Sequence, residues 1–271
     1  MKLFVFIDFS DFQDTQVKIA NDWCVNFGLK MILVHKVDLT LPSLTNADAR
    51  LKIEYSLKRE VFQKMEKLKN DFVNPSVDVS YEIIASPLVT YFKDESRVGQ
   101  GDVFLLGLKG TGKLKQIFIG STATRLIDEF NQLTITVPLK TKHHLPRKLI
   151  VGVHYLTPIN EAELERLLIL TNPVVDEVEF VTIVQSQSEM KDAESYLGLL
   201  KSKFGKSIPC IAMVFSGENA MQKLKDFSSP QETSFLVLQK GSRALVDRVF
   251  RKFMINEMVY DASIPLVILP S

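Results

Sequence analysis

The chain starts twice. Lys148-Leu149-Ile150-Val151-Gly152-Val153-His154 can be laid on Lys2-Leu3-Phe4-Val5-Phe6-Ile7-Asp8. Both segments are continuous apolar runs that close on a polar residue, a pattern suited to a strand buried on both faces of a parallel sheet. After Leu3–Ile7 the polar patch Asp8-Phe9-Ser10-Asp11 suits a strand-to-helix turn. Val17, Ala20, Cys24 and Phe27 then recur at helical spacing beside Trp23, and Gly28 stands as a C-terminal stop. Met31–Val34 is the next buried strand, so a β-α-β unit is complete by residue 37.

The alternation continues. A polar loop with Pro42 leads to a charged helix from about Asp48 to Phe72, striped by Leu57, Val61, Met65, Leu68 and Phe72. Val77–Ile84 is the third strand. Ser86-Pro87 opens a short helix with Leu88, Tyr91 and Phe92 as its apolar positions, Val103–Leu106 is the fourth strand and Ile135–Leu139 the fifth. Lys140–Pro146 is polar, basic and proline-ended, the composition of a linker. The second copy repeats the order. A helix with Thr157 as N-cap and Pro158 at N1 carries Leu164, Leu167 and Leu168. Strands at Val178–Val184, Ile208–Phe215, Phe235–Leu238 and Ile264–Leu269 alternate with a helix striped by Met190, Ala193, Leu197, Leu200 and Phe204 and with helices near Asn219–Phe227 and Leu245–Met258. An internal duplication accounts for this, giving domains 1–140 and 147–271. Each is expected to be a doubly wound, five-stranded α/β (Rossmann-like) unit with right-handed crossovers. Ligands of such sheets sit beyond the carboxyl ends of the strands, where strand order switches. Asp8 and Gly107 both fall at that end.

Composition narrows the function classes. Thirty-three basic and 32 acidic residues give a formal net charge of +1, which offers no support for a polyanion-binding surface. The two cysteines, Cys24 and Cys210, cannot build a disulfide scaffold or a metal-ligand spacing, and each reads as a small buried hydrophobe. The N-terminal apolar run ends at Asp8, too short for a signal peptide or a spanning helix, so a cytoplasmic, non-membrane protein is expected. His35 reads as a core or rim histidine and His143 and His144 as linker residues, while His154 lies near the second crevice. Ser216-Gly217-Glu218-Asn219 reads as a helix-capping turn. No nucleophile–base–orienter set is legible, so no catalytic residue is assigned.

One stretch carries chemistry. In Gly107–Thr122 (GLKGTGKLKQIFIGST), Gly107 ends a buried strand and admits close backbone approach, Gly110 does the same one turn later, and Gly120, Ser121 and Thr122 open a helix. Free N–H groups and the helix dipole there favour an anion, and the two hydroxyls add donors. Lys109, Lys113 and Lys115 can neutralise phosphate, and Asp8 can accept from ribose hydroxyls or a base amine. The stretch is neither a Walker A loop nor a GxGxxG fingerprint.

These residues resemble the universal stress protein family in its tandem two-domain form, whose sheet is of the adenine nucleotide alpha hydrolase-like kind. Nucleotide-binding members carry G-x2-G-x9-G-(S/T) after strand four, matched by Gly107, Gly110, Gly120 and Ser121. They also carry D-x-S after strand one, matched by Asp8-Phe9-Ser10, and a small-x-Pro turn after strand three, matched by Ala85-Ser86-Pro87. Strand two often ends Leu-x-His-Val, and here Lys36 replaces the valine.

The resemblance implies ATP binding in the first half. Asp8 would sit by adenine and ribose, the Lys36 backbone by the base, and Gly107 and Gly110 by the ribose and α-phosphate. Gly120, Ser121 and Thr122 would hold the outer phosphates, with Mg2+ able to accompany them. It also implies an internal pseudo-dimer with Ile135–Leu139 beside Ile264–Leu269. In the second half, setting Gly241 on Gly110 puts Leu238 on Gly107, Arg251 on Gly120 and Lys252 on Ser121, and His154 stands for Asp8. That half is expected not to bind ATP. The resulting expectation is an ATP-binding stress-response or signalling module with a protein partner and scope for further homodimerisation. A non-nucleotide interaction protein of the same fold, and an adenylating enzyme, are the alternatives.

Overall fold

The computed structural model describes residues 1–10, 12–38, 46–94, 96–110, 117–118, 121–138, 141–184, 186–217, 233–240 and 264–271. It divides into two compact units, 1–107 with 119–132, and 108–118 with 133–271.

The first unit is built on β1 (Lys2–Phe6), flanked by β2 (Lys30–Lys36) and β4 (Val103–Gly110, of which 103–107 belong here), with β3 (Val79–Ile84) outside β2. All these pairings are parallel; Phe6 lies opposite Val34 on one side and Leu106 on the other. The apolar run predicted this central position, because strand neighbours on both edges and helices on both faces leave no side for polar residues. Successive side chains alternate between faces. On one face Phe4, Phe6 and Phe104 meet Phe92 of α3 (Leu88–Phe92) and Phe130 in edge-on and tilted ring contacts, centroids 5.2–6.3 Å apart. Such pairs stabilise beyond their buried area by about 0.5–1.5 kcal/mol.

α1 (Gln13–Phe27) buries Gln16, Val17, Ile19, Ala20, Trp23 and Cys24, and stops at Gly28 in the left-handed conformation (φ 63°). This is the stop expected from sequence, since only glycine takes that backbone freely. Burial pushes the Cys24 thiol up to about 12. α2 (Ala47–Phe72) begins at Asn46, whose side chain accepts from the Ala49 N–H, and buries Val61, Met65 and Leu68. The unit is completed by α4 (Ser121–Glu129).

The second unit repeats the winding with β7 (Lys148–Gly152), α5 (Glu161–Thr171), β8 (Glu177–Val184), α6 (Gln187–Phe204), β9 (Cys210–Ser216), β10 (Ser234–Gln239) and β11 (Leu266–Leu269). β6 (Leu133–Pro138) also lies in this unit, where it pairs antiparallel with β11, Ile135 opposite Val267. The strand order is β6-β11-β10-β7-β8-β9. The fifth strands of the two copies thus pair as the resemblance implied. At the amino ends of β7 and β8, Lys148 Nζ lies 3.1 Å from the Glu177 carboxylate and 2.5 Å from that of Glu179, which is 2% exposed. Burial raises the Glu179 carboxyl above the usual range, with Lys148 opposing the shift.

Three expectations are corrected. α5 starts at Glu161, not at Pro158: Asn160 is the cap and accepts from the Glu163 N–H at 3.2 Å, while Thr157 is held back in a bridge with His154. The fourth strand does not end at Gly107. β4 runs on to Gly110, and β5 (Ile117–Phe118) returns against it, Gly110 opposite Ile117. Cys210 is only half-buried. The helices expected near Asn219–Phe227 and Leu245–Met258 lie outside the described residues.

Candidate functional site

The candidate site is the carboxyl end of β1 and its neighbours in the first unit. β1 and β4 run in register to Phe6 and Leu106 and then part. Gln16, one turn before Ala20 on the buried stripe of α1, is 2% exposed. Its Nε2 donates to the carbonyls of Phe6 (2.9 Å) and Leu105 (3.2 Å). The side-chain amide therefore takes over where the ladder ends, meeting two buried acceptors that would otherwise be costly to leave unpaired.

Asp8 follows β1. Its Oδ1 accepts from the Ser10 N–H (3.1 Å) and from Ser10 Oγ (2.6 Å), which makes D-x-S a locked turn. The residue between them, Phe9, has φ 55°. A bulky residue in that region is an outlier, and such outliers cluster at sites where surrounding contacts hold them. Those contacts are present: the Phe9 ring lies 4.5 Å from the His35 ring, and Lys64 Nζ lies 5.5 Å from its centroid. His35 Nδ1 bonds the Ile7 carbonyl at 2.8 Å, and an oxygen can only accept, so Nδ1 carries the proton. His35 is thus the rim histidine expected, and it braces the turn that presents Asp8.

Lys36 ends β2 in register with Ile84 of β3, and its ammonium pairs with the Asp38 carboxylate. Ser121 and Thr122 are the first two residues of α4, a nine-residue helix, as the sequence implied. Gly110 ends β4, while Gly120, Lys113 and Lys115 lie outside the described residues.

Gly107 is the least expected. A Cβ on it would lie 2.6 Å from Phe12 Cε1, 2.7 Å from Phe12 Cδ1 and 3.3 Å from Gln16 Oε1. The hollow read from sequence as room for a ligand is taken up by α1, so this glycine has a packing reason of its own. Phe12 and Gln16 were missed. The available signals were an aromatic inside a polar turn and a glutamine on an apolar stripe.

The registers also correct the alignment of the two copies. Leu3 pairs with Val103, and Leu149, which lies on Leu3, pairs with Phe235. Phe235 therefore lies on Val103, and four residues on, Gln239 rather than Leu238 stands for Gly107. Anchoring on Gly241 had shifted the strand by one residue. Gln239 uses its Oε1 to accept from the Asn160 N–H at the start of α5. The amide sits on the helix in one unit (Gln16) and on the strand in the other (Gln239), where Leu164 fills the helix position. His154 accepts from the Leu156 N–H through Nδ1 at 3.3 Å and stacks on Tyr155. Burial holds its imidazole below the usual range, with Glu189 opposing. Among the described residues, His154 and Gln239 are thus both engaged within the second unit itself. Arg251 and Lys252 lie outside the described residues.

The sequence matches no family model and no curated protein. Solved structures do match. A universal stress protein from Archaeoglobus fulgidus DSM 4304 superposes at TM-score 0.68 with 11% identity, covering 99% of this chain and 98% of that one. A putative universal stress protein from Pseudomonas aeruginosa UCBPP-PA14 gives 0.59 and 11%, covering 99% and 92%. The cytoplasmic domain of a prokaryotic cation chloride cotransporter gives 0.54 and 13%, covering 98% and 94%. The chain has the universal stress protein fold along nearly its whole length. Among the described residues no helix is long and apolar enough to cross a membrane, and no group of His, Cys, Asp and Glu is placed to hold a metal ion.

Proposed function

On this universal stress protein fold, we propose that the first unit binds ATP and that binding serves stress-response signalling through a protein partner, with no chemistry on the nucleotide required. The observation that carries the reading is the coincidence of motif and place. The G-x2-G-x9-G-S spacing runs from the last residues of β4 to the start of α4, with a locked Asp8 turn after β1. The N–H groups and hydroxyls of Ser121 and Thr122 suit the outer phosphates. Asp8 suits the ribose hydroxyls, and the Lys36 backbone suits the edge of the base. ATP would bring its charge and, with Mg2+, its metal; the chain supplies orientation.

The second unit fits the part of a partner domain, because Gln239 and His154 are already engaged within it. Titration calorimetry of the full chain with ATP and with AMP tests the reading. The expected result is saturable heat with ATP that is lost in Gly120→Arg while the far-UV spectrum stays unchanged. Absence of both heat and thermal shift at millimolar ATP defeats it.

A second reading, a nucleotide-free interaction module, is favoured by one observation: the ring of Phe12 lies in the hollow of Gly107. That a cotransporter's cytoplasmic domain shares this fold agrees with such a role.

A further inference from the structure

The hollow that Gly107 leaves is filled by a side chain of this same unit. The Phe12 ring is close enough that a Cβ on Gly107 would overlap two of its carbons, at 2.6 and 2.7 Å. Phe12 is 7% exposed, yet it stands at the N-cap of α1, where Ser, Thr, Asp and Asn are favoured. It makes no side-chain capping bond there. The next residue, Gln13, carries a buried Oε1 that no donor reaches. A buried acceptor without a donor is uncommon, since most such atoms bond a protein group or an ordered water. The first turn of α1 thus presents an aromatic ring where a polar cap belongs.

We propose that Phe12 is the specificity-determining stopper of the first unit's crevice, a ring that must leave Gly107 before a nucleotide can be seated against it. The inference rests on the ATP reading and names what limits it. With the ring in place, Gly107 is closed to anything larger than the backbone. With the ring turned out, the glycine backbone becomes open to close approach. Only molecules with the ring out are competent to bind. A minor state of this sort is populated at about 0.1–10%. Apparent affinity is reduced by that fraction, so removing the ring tightens binding by about tenfold to a thousandfold.

The test is calorimetric titration of MgATP into the full chain as wild type, Phe12→Ala and Phe12→Leu, each first confirmed as folded by far-UV circular dichroism. The expected result is at least about tenfold tighter binding for Phe12→Ala, with Phe12→Leu between it and wild type. If Phe12→Ala does not fold, Phe12→Leu alone decides by the same criterion. Absence of binding by wild type at millimolar MgATP defeats the ATP reading and the stopper with it, whatever the variants do. Equal or weaker binding by folded Phe12→Ala, with wild type binding, overturns the stopper and leaves the ATP reading standing. No binding by any of the three overturns both.

Discussion

Substituting Gly107 by alanine, without any ligand, tests why this glycine is here. The new methyl group would sit 2.6 Å from Phe12 Cε1, about 1 Å inside ordinary van der Waals contact. Phe12 is 7% exposed, so in the closed state its ring has little room to give way to the methyl group. Overpacking of this kind costs about 1–3 kcal/mol. The same methyl group crowds Gln16 Oε1 at 3.3 Å, and the Gln16 amide holds the carbonyls of Phe6 and Leu105. Loosening one of those bonds adds about 1 kcal/mol. Together the loss is about 2–4 kcal/mol, a fall in Tm of about 5–15 °C for a unit of this size. Thermal unfolding followed by circular dichroism, with the first transition compared between variants, measures it. The double variant Gly107→Ala/Phe12→Leu should recover part of the loss, because the smaller side chain makes room for the methyl group. An unchanged Tm for Gly107→Ala, or a double variant that simply adds two losses, would refute the packing argument and return Gly107 to a role in ligand approach.

Three further outcomes follow from the geometry. Phe9→Gly should be more stable than Phe9→Ala by about 1 kcal/mol in urea unfolding, since both lose the ring contacts but only glycine takes φ 55° without strain. Cys24, raised from its ordinary 9.0 to about 12, stays protonated in the folded chain while the unfolded chain ionises, so its contribution is complete below pH 9 and declines as pH rises toward 12. The stability of wild type relative to Cys24→Ala should therefore fall by about 1 kcal/mol between pH 9 and 10, read from urea unfolding at each pH. Lys148→Met should cost about 3 kcal/mol in the same assay by leaving the buried Glu179 carboxylate unpaired, and Lys148→Met/Glu179→Leu should regain most of it.

Much of this was legible because the signals were local and of a single period. The run Leu3–Ile7 identified a central strand, Gly28 a helix stop, and Asp8-Phe9-Ser10 a turn after the strand. What escaped depends on distance through space. Nothing near Gly107 in the sequence announces that Phe12, ninety-five positions earlier, lies against its Cα. A glycine reads the same whether a ligand or a neighbouring ring needs the space. The strand alignment slipped by one residue because glycines were matched to glycines, whereas Gln239 takes the place of Gly107 by register. The start of α5 was placed early because Thr157-Pro158 is a strong local cap pattern, and a competing bridge to His154 together with the Asn160 side chain outweighed it.

The pairing of β6 with β11 has a bearing on how the chain is made. Thr136 finds its partner in Leu266, 130 positions later. A ribosome releases the chain from its N-terminus, so β6 emerges long before the strand that will cover its edge. Until residues 266–268 are free, an apolar strand waits for its partner, the state most prone to mispairing with other chains. A fragment ending at Lys140 would keep that edge permanently exposed. The linker is where the sequence invites a cut, but synthesis of the second copy must finish before the first copy's last strand is protected.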